Sequence, residues 1–486
     1  MDELKMKLTS IFIIVLSIFL TACSKTYHVY SNPPLESEDN AIRHVAVFLD
    51  GTANDIDSHT NVARLSQIVR NQNIPNLHAF YNEGVGTDYR VIGGGTGWGI
   101  DKDVVEAYAF LTYAYKPDSK LYFFGFSRGA YTARILAGMV YSIGIYDFSD
   151  KTEKERLKLS HSLYDLYKEI DKEDFINDIP DIIECNLEDS NNKLLIYNDE
   201  CEIKKKAIKA IGHRPKYSEV KINAMGIWDT VEALGVIPTI RAASRNMFGV
   251  EDTVDIINPN NRYIDQVCNI EHVYHALALD DNREYVFTPI SINTPYTVSR
   301  CIEKQDSVEV KEVWFSGAHA DVGGGYSPLE QTDGDQVDYI DLRLSGVSLN
   351  WMLQHLRQDT SLVLSDVLVQ SNELGYIHDA ENGSKIYQEK TRGNVFKHFS
   401  AISNNSTSSE KYRITVHRSA INRVTSKGYL EYTDLQSHQK KRKFGRFNKF
   451  GFDSQWYEQP LFEKCFVHSD DGQLKFLEEC AEFDVE

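Results

Sequence analysis

Residues 121–129 read Leu-Tyr-Phe-Phe-Gly-Phe-Ser-Arg-Gly and place a serine in a setting that suits covalent chemistry. The apolar run Leu121 to Phe124 enters a Gly-x-Ser-x-Gly pentapeptide, and a good helical sequence, Ala130 to Ala137, follows it. Strand, sharp turn and helix are the context in which that pentapeptide forms a nucleophile elbow. Gly125 and Gly129 leave out the Cβ atoms that a tight turn and a close helix would exclude. Ser127 then stands at the carboxyl edge of a parallel sheet, with the backbone N–H of Arg128 facing a developing oxyanion.

A serine hydroxyl needs a base to take its proton, and the base needs an acid to orient it. In such a fold the acid and the histidine each follow a later strand, in the order nucleophile, acid, histidine. Asp229 directly follows the apolar run Ala224 to Trp228, and His319 follows Val313 to Phe315, ahead of Gly323, Gly324 and Gly325. His417, after a strand pattern near the C-terminus, is the alternative base; Asp321 and Asp280 are alternative acids. His275 lies in an apolar pattern read as helical, which suits a packed residue better than a base. A second set of oxyanion donors belongs at the end of the first strand, where Gly51 and Thr52 are the candidates. Asp50-Gly51-Thr52 also resembles the end of a haloacid-type phosphatase strand, but Phe48 occupies the nucleophile position and excludes that chemistry. The glycine-rich run 93–99 lacks the Gly-Lys-Ser/Thr ending of a phosphate loop, which argues against nucleotide binding. No cofactor is implied, and no histidine and cysteine spacing fits a structural metal.

The elements that must position these groups alternate along the chain. Val45 to Leu49 is a buried-strand run, residues 61–71 have helical periodicity, Ala79 to Asn82 forms a second strand, and residues 100–115 a helix. Strand patterns return at 220–227 and 310–315, so the chain is read as α/β, a doubly wound and mainly parallel sheet. Residues 148–215 turn Lys-, Glu- and Asp-rich and read as a helical insertion or cap. From about residue 358 to 486 the pattern reads as a β-rich C-terminal extension, with a strand at 412–416.

The chain has 486 residues, 42% hydrophobic and 25% charged, enough for a full core. Its net charge of −19 argues against broad nucleic-acid binding, which needs a basic face. Residues 1–22 read as a signal peptide: Lys5 and Lys7 precede an apolar run from Leu8 to Leu20, too short to span a bilayer. Leu20-Thr21-Ala22-Cys23 resembles a bacterial lipobox, which makes Cys23 the site of lipid attachment and residues 23–42 a polar tether. The expected location is the bacterial cell envelope, lipid-anchored, and Ser24 after the lipidated position favours the outer membrane by resemblance to sorting behaviour. Export makes disulfides expected, with Cys185–Cys201 and Cys465–Cys480 as local pairs. Lys440 to Lys449, interleaved with Phe444, Phe447 and Phe450, reads either as a solvated loop or as a membrane-contacting patch.

Several stretches in order resemble the type VI secretion phospholipase effector catalytic domain. They are Phe48-Leu49-Asp50-Gly51-Thr52 with Asn61-Val62, Glu83 to Thr87, Gly125 to Ala130, Trp228 to Val231, His275 to Asp280, and Trp314 to Tyr326. The similarity covers about residues 43–357. It implies an α/β-hydrolase lipase fold that attacks glycerophospholipid acyl esters at a phospholipid membrane, with Ser127, Asp229 and His319 as the triad. One departure concerns the N-terminus. Secreted effectors of this kind are not expected to carry a lipobox, so an enzyme of its own envelope, or one displayed on the surface, fits better than delivery into a rival cell. A carboxylesterase or thioesterase on soluble esters is the alternative activity, and a hydrolase fold used only for binding is the non-enzyme alternative. The resemblance also implies an immunity or secretion partner protein.

Overall fold

Six buried, mainly apolar strands, each followed by a polar or glycine turn, build the centre of the computed structural model. It describes residues 27–34, 42–51, 54–84, 98–169, 182–185, 194–231, 268–281, 292, 308–326, 343–362, 364–377, 414–426, 465–469, 474–478, 480 and 483–486. The strands are β1 (Tyr27–Ser31), β2 (His44–Leu49), β3 (Leu77–Asn82), β4 (Lys120–Phe126), β5 (Ile182–Cys185), β6 (Leu194–Tyr197) and β7 (Ile222–Trp228). Six more follow: β8 (Ile270–Ala278), β9 (Glu309–Phe315), β10 (Thr415–Val416), β11 (Phe466–His468), β12 (Leu474–Phe476) and β13 (Asp484–Val485). Nine of them form one sheet in the order β1-β3-β2-β4-β7-β8-β9-β10-β13. Every pairing in it is parallel except that of β1 with β3. This is the expected doubly wound α/β-hydrolase-like sheet, and its carboxyl edge is where strands β2, β4, β7, β8 and β9 all end.

The period of two along each strand divides the core. Val45, Val47, Leu121, Phe123, Met225 and Ile227 pack beneath α2 (Trp98–Ala114) and α3 (Arg128–Ile143). Ala46, Phe48, Tyr122, Phe124 and Ala224 face α1 (Asn61–Asn71) and α7 (Ser345–Asp359) on the other side. Helix α1 starts where Thr60 Oγ1 accepts the Ala63 N–H at 3.0 Å, and its buried face carries Val62, Leu65 and Val69.

Three regions hold structure that their sequence patterns did not specify. Residues 148–215 do hold helices, α4 (Glu153–Lys168) and α5 (Asn198–Ile211). Their apolar faces (Leu163, Tyr164, Tyr167, Ile203 and Ala207) join the core under α2 and α3, thickening one helical layer. A Cys185–Cys201 disulfide ties the β5–β6 hairpin to α5. The presumed tether at 23–42 contains β1, which belongs to the sheet, so the fold begins before residue 43. The C-terminal extension is not a separate β-rich unit among the described residues. Its strands are two or three residues long, β10 and β13 continue the main sheet, and α8 (Arg418–Thr425) packs with Leu277 and Trp314. The Cys465–Cys480 disulfide brackets the β11–β12 hairpin as expected. Cys23, Thr52, the glycine run at 93–97 and the basic stretch at 440–449 lie outside the described residues.

Candidate active site

The elbow forms because a helix must start immediately after a buried strand. Ser127 closes that corner with φ 58° and ψ −125°, a conformation that costs a non-glycine residue of order 1–3 kcal/mol. Two glycines make it sterically feasible. A Cβ on Gly125 would lie 2.5 Å from Gly129 O, and one on Gly129 would lie 2.1 Å from Leu49 O. The start of α3 therefore sits directly on the end of β2, and only glycine fits. The N–H of Arg128 is in the first turn of α3, where backbone donors have no intrahelical acceptor and the helix dipole favours negative charge.

Strand register brings the acid beside the serine. Phe126 pairs with Trp228 and Trp228 with Ala276, so Ser127 and Asp229 leave adjacent strands at one level. The Ser127 N–H donates to Trp228 O at 3.0 Å, and the Asp229 N–H to Ala276 O at 2.8 Å. Asp229 is fully buried, with φ 37°, and its Oδ1 accepts the Ala278 N–H at 3.0 Å. Its Oδ2 lies 2.5 Å from His319 Nδ1. A carboxylate only accepts, so Nδ1 carries the proton and Nε2 keeps the lone pair of a general base. His319 begins α6 (His319–Gly323), and its N–H donates to Asp281 Oδ2 at 3.0 Å. Its ring lies against Phe126, the residue before the nucleophile, at 4.6 Å between centroids. Gly323 leaves room for that phenyl ring: a Cβ there would come within 1.9 Å of Phe126 Cε2.

The rival residues have other duties. Asp321 Oδ2 accepts the Ala318 N–H at 3.0 Å, and Asp280 Oδ2 the Gly317 N–H at 2.7 Å, so both shape the turn that carries His319. His417 caps α8 through Ser419, stacks on Phe315, and is pushed down to about 4, chiefly by burial. His275 is not helical, as its pattern suggested, but sits fully buried in β8. Its Nδ1 lies 2.9 Å from Glu312 Oε2, and its Nε2 accepts from Thr230 N–H at 3.3 Å. Since Nε2 accepts, Nδ1 is the protonated nitrogen and donates to Glu312.

The loop after β2 behaves differently from expectation. The Gly51 N–H donates to Asp50 Oδ1 at 2.7 Å, so this amide is engaged with its own neighbour and not directed at an oxyanion. Gly51 still abuts the nucleophile, since a Cβ there would lie 3.2 Å from Ser127 Cβ. Asp50 Oδ2 also accepts from Thr60 Oγ1 at 2.6 Å and Tyr81 OH at 2.7 Å. Complete burial nevertheless outweighs these hydrogen bonds and raises its carboxyl to about 6. Beside the elbow, burial pushes the Arg128 guanidinium down and Asp103 opposes that shift, while the buried Asp103 carboxyl is raised well above the usual range.

Sequence reasoning missed the supporting groups. Asn61 Nδ2 donates to Val322 O at 2.8 Å and Ser345 O at 2.9 Å, which joins α1 to α6 and α7. The Asp280-Asp281 pair directly after a strand was the signal for the turn that holds His319. Glu312, an acid directly before the apolar run Val313 to Phe315, was the signal for the partner of His275.

Residues 43–355 match the model of the type VI secretion system phospholipase effector, Tle1-like, catalytic domain. The chain belongs to that family. The matched region is accordingly that of a lipolytic ester hydrolase. An uncharacterised protein of Saccharomyces cerevisiae is 24% identical over 277 residues, 52% of this chain and 34% of that protein. The chain thus spans about a third of the length of that curated relative. Among solved structures, the carboxylesterase Cest-2923 from Lactobacillus plantarum aligns with TM-score 0.34 and 12% identity over 70% of this chain and 94% of its own. The Tle1 effector bound to the VgrG spike of the type VI secretion system aligns with TM-score 0.27 and 16% identity, over 63% of this chain and 58% of its own.

Proposed function

We propose that this chain is a phospholipase of the A type, which cleaves acyl esters of membrane glycerophospholipids through an acyl-enzyme on Ser127. The observation that carries the reading is the buried Asp229–His319 pair, 2.5 Å apart, at the strand end next to the Ser127 elbow. His319 Nε2 takes the Ser127 proton as Oγ attacks the acyl carbonyl, and Asp229 stabilises the imidazolium that forms. The negative charge on the carbonyl oxygen develops against the first turn of α3, with the Arg128 N–H as the donor on this side. Collapse expels the lysophospholipid alkoxide, which His319 protonates. Water then enters, gives its proton to His319, and releases the fatty acid from Ser127.

The lipobox-like segment supports a place in the bacterial envelope, with the acylated Cys23 holding the enzyme on a membrane. Acyl chains gain ~0.8 kcal/mol for each buried CH₂, and two or more make the attachment durable. Labelling with a fluorophosphonate tests the nucleophile: the phosphonyl group should map to the peptide carrying Ser127. Full labelling of the Ser127→Ala protein would overturn the assignment.

A further inference from the structure

The direction of β1 says where the N-terminus meets the rest of the molecule. This strand is antiparallel to its neighbour, so Tyr27, its first residue, pairs with Asn82, the last residue of β3. Asn82 pairs with Leu49 at the end of β2, and Leu49 with Gly125 in β4, two residues before Ser127. The chain therefore enters the sheet at its carboxyl edge, level with the nucleophile elbow. Had β1 run parallel to the others, the N-terminus would have emerged at the opposite edge, about 20 Å away for a six-residue strand.

Only Ser24, Lys25 and Thr26 separate Cys23 from Tyr27. Cys23 lies outside the described residues, and the start of β1 is what constrains it. Four residue steps span at most ~14 Å. In the sheet order β1-β3-β2-β4, the lateral separation from β1 to β4 is three strand spacings, again ~14 Å. Covalent reach from Tyr27 alone thus keeps the Cys23 attachment point within roughly 30 Å of Ser127.

We propose that the lipid on Cys23 orients the enzyme as well as retaining it. The anchor turns the carboxyl edge of the sheet towards the bilayer that carries the protein, so that Ser127 works on that same leaflet. This rests on the lipobox reading of residues 20–23 and on the phospholipase reading above. The occupant of the edge is a phospholipid surface. The short connection is the reason: a tether of 23–42 entirely outside the fold would have left the orientation free, whereas three residues do not.

The test compares two tether positions on purified protein beginning at Cys23. In one form the Cys23 thiol is coupled to a maleimide lipid in vesicles of phosphatidylethanolamine and phosphatidylglycerol. In the other, Cys23→Ser is combined with Asn71→Cys. Asn71 is exposed at the end of α1 that leads into the start of β3, at the amino edge of the sheet. The five cysteines among the described residues are disulfide-bonded and do not compete for the maleimide. At equal surface density, the Cys23-tethered form should release lysophospholipid from its own vesicles at least about tenfold faster, as its site has the higher effective concentration of substrate. Both forms should turn over a short-chain soluble ester and detergent-dispersed phospholipid at the same rate, which also reports an intact fold. Equal rates on the tethered vesicles, or a faster Asn71-tethered form, would overturn the orientation while leaving the phospholipase reading in place. Failure of both forms on dispersed phospholipid, with soluble ester still cleaved, would remove the phospholipase reading and this inference with it.

Discussion

In the proposed mechanism Ser127→Ala removes the oxygen that forms the acyl-enzyme, so kcat should fall by on the order of 10⁶. His319→Ala should match it, because without Nε2 the hydroxyl keeps its proton. Asp229→Asn is a different perturbation: an amide still fits, but it presents a donor to Nδ1 and favours the wrong tautomer, with an expected loss of about 10⁴. Steady-state hydrolysis of a short-chain ester by the three purified variants checks this ranking. If His417→Ala were inactive and His319→Ala active, the assignment of the base would fall. Asp50 makes a second claim at this scale. Its carboxyl is held near 6 against an ordinary 3.8, so its protonated form is the one the fold favours. The stability it contributes is complete below the unfolded value and is lost as pH rises through about 6, a change of about 3 kcal/mol. Wild type should therefore gain stability relative to Asp50→Asn on acidification from pH 7.5 to 4.5. Urea titrations at both pH values test the sign, and a wild type that loses ground on acidification would contradict it.

The elbow, as an element, depends on a helix resting on a strand end with no Cβ between them. Gly129→Ala should force a carbon to within 2.1 Å of Leu49 O, so the start of α3 must move. A loss of at least 1–3 kcal/mol is expected, together with activity lost beyond the unfolded fraction. Thermal unfolding measured alongside fluorophosphonate labelling separates the two effects. The His275–Glu312 pair braces the residue after Asp229, and His275→Leu should cost about 1–3 kcal/mol by leaving buried polar groups short of partners. The placement of Gly125, Gly129, Ser127, Asp229 and His319 at one sheet edge was legible because local rules dictate it: an apolar run, a turn and a helix place Ser127, and position at a strand end places Asp229 and His319. What local pattern could not supply was pairing. Ile270–Ala278 has an apolar spacing that suits a helix as well as a buried strand, so only its neighbours β7 and β9 make it β8. The engagement of the Gly51 amide was hidden for a similar reason, since its N–H donates to a side chain one residue back.

For the whole molecule, family membership and sheet topology agree on one catalytic unit, to which both the N-terminal strand and the C-terminal strands contribute. The insertion was recognised from its charge, but a charged surface on a helix says nothing of which layer its apolar side joins. That side joins the layer of α2 and α3. Likewise the polar stretch after Cys23 concealed β1, whose edge position demands little apolar sequence: its residues are all exposed or half-buried. The most direct test of the central claim is product analysis. Purified protein beginning at Cys23 is incubated with diacyl phosphatidylethanolamine and phosphatidylglycerol vesicles, and the products are identified by mass spectrometry beside those from Ser127→Ala. Equimolar fatty acid and lysophospholipid from the wild type, and neither from the variant, is the predicted result. Diacylglycerol or phosphatidic acid as the product, or equal release by both proteins, would contradict it.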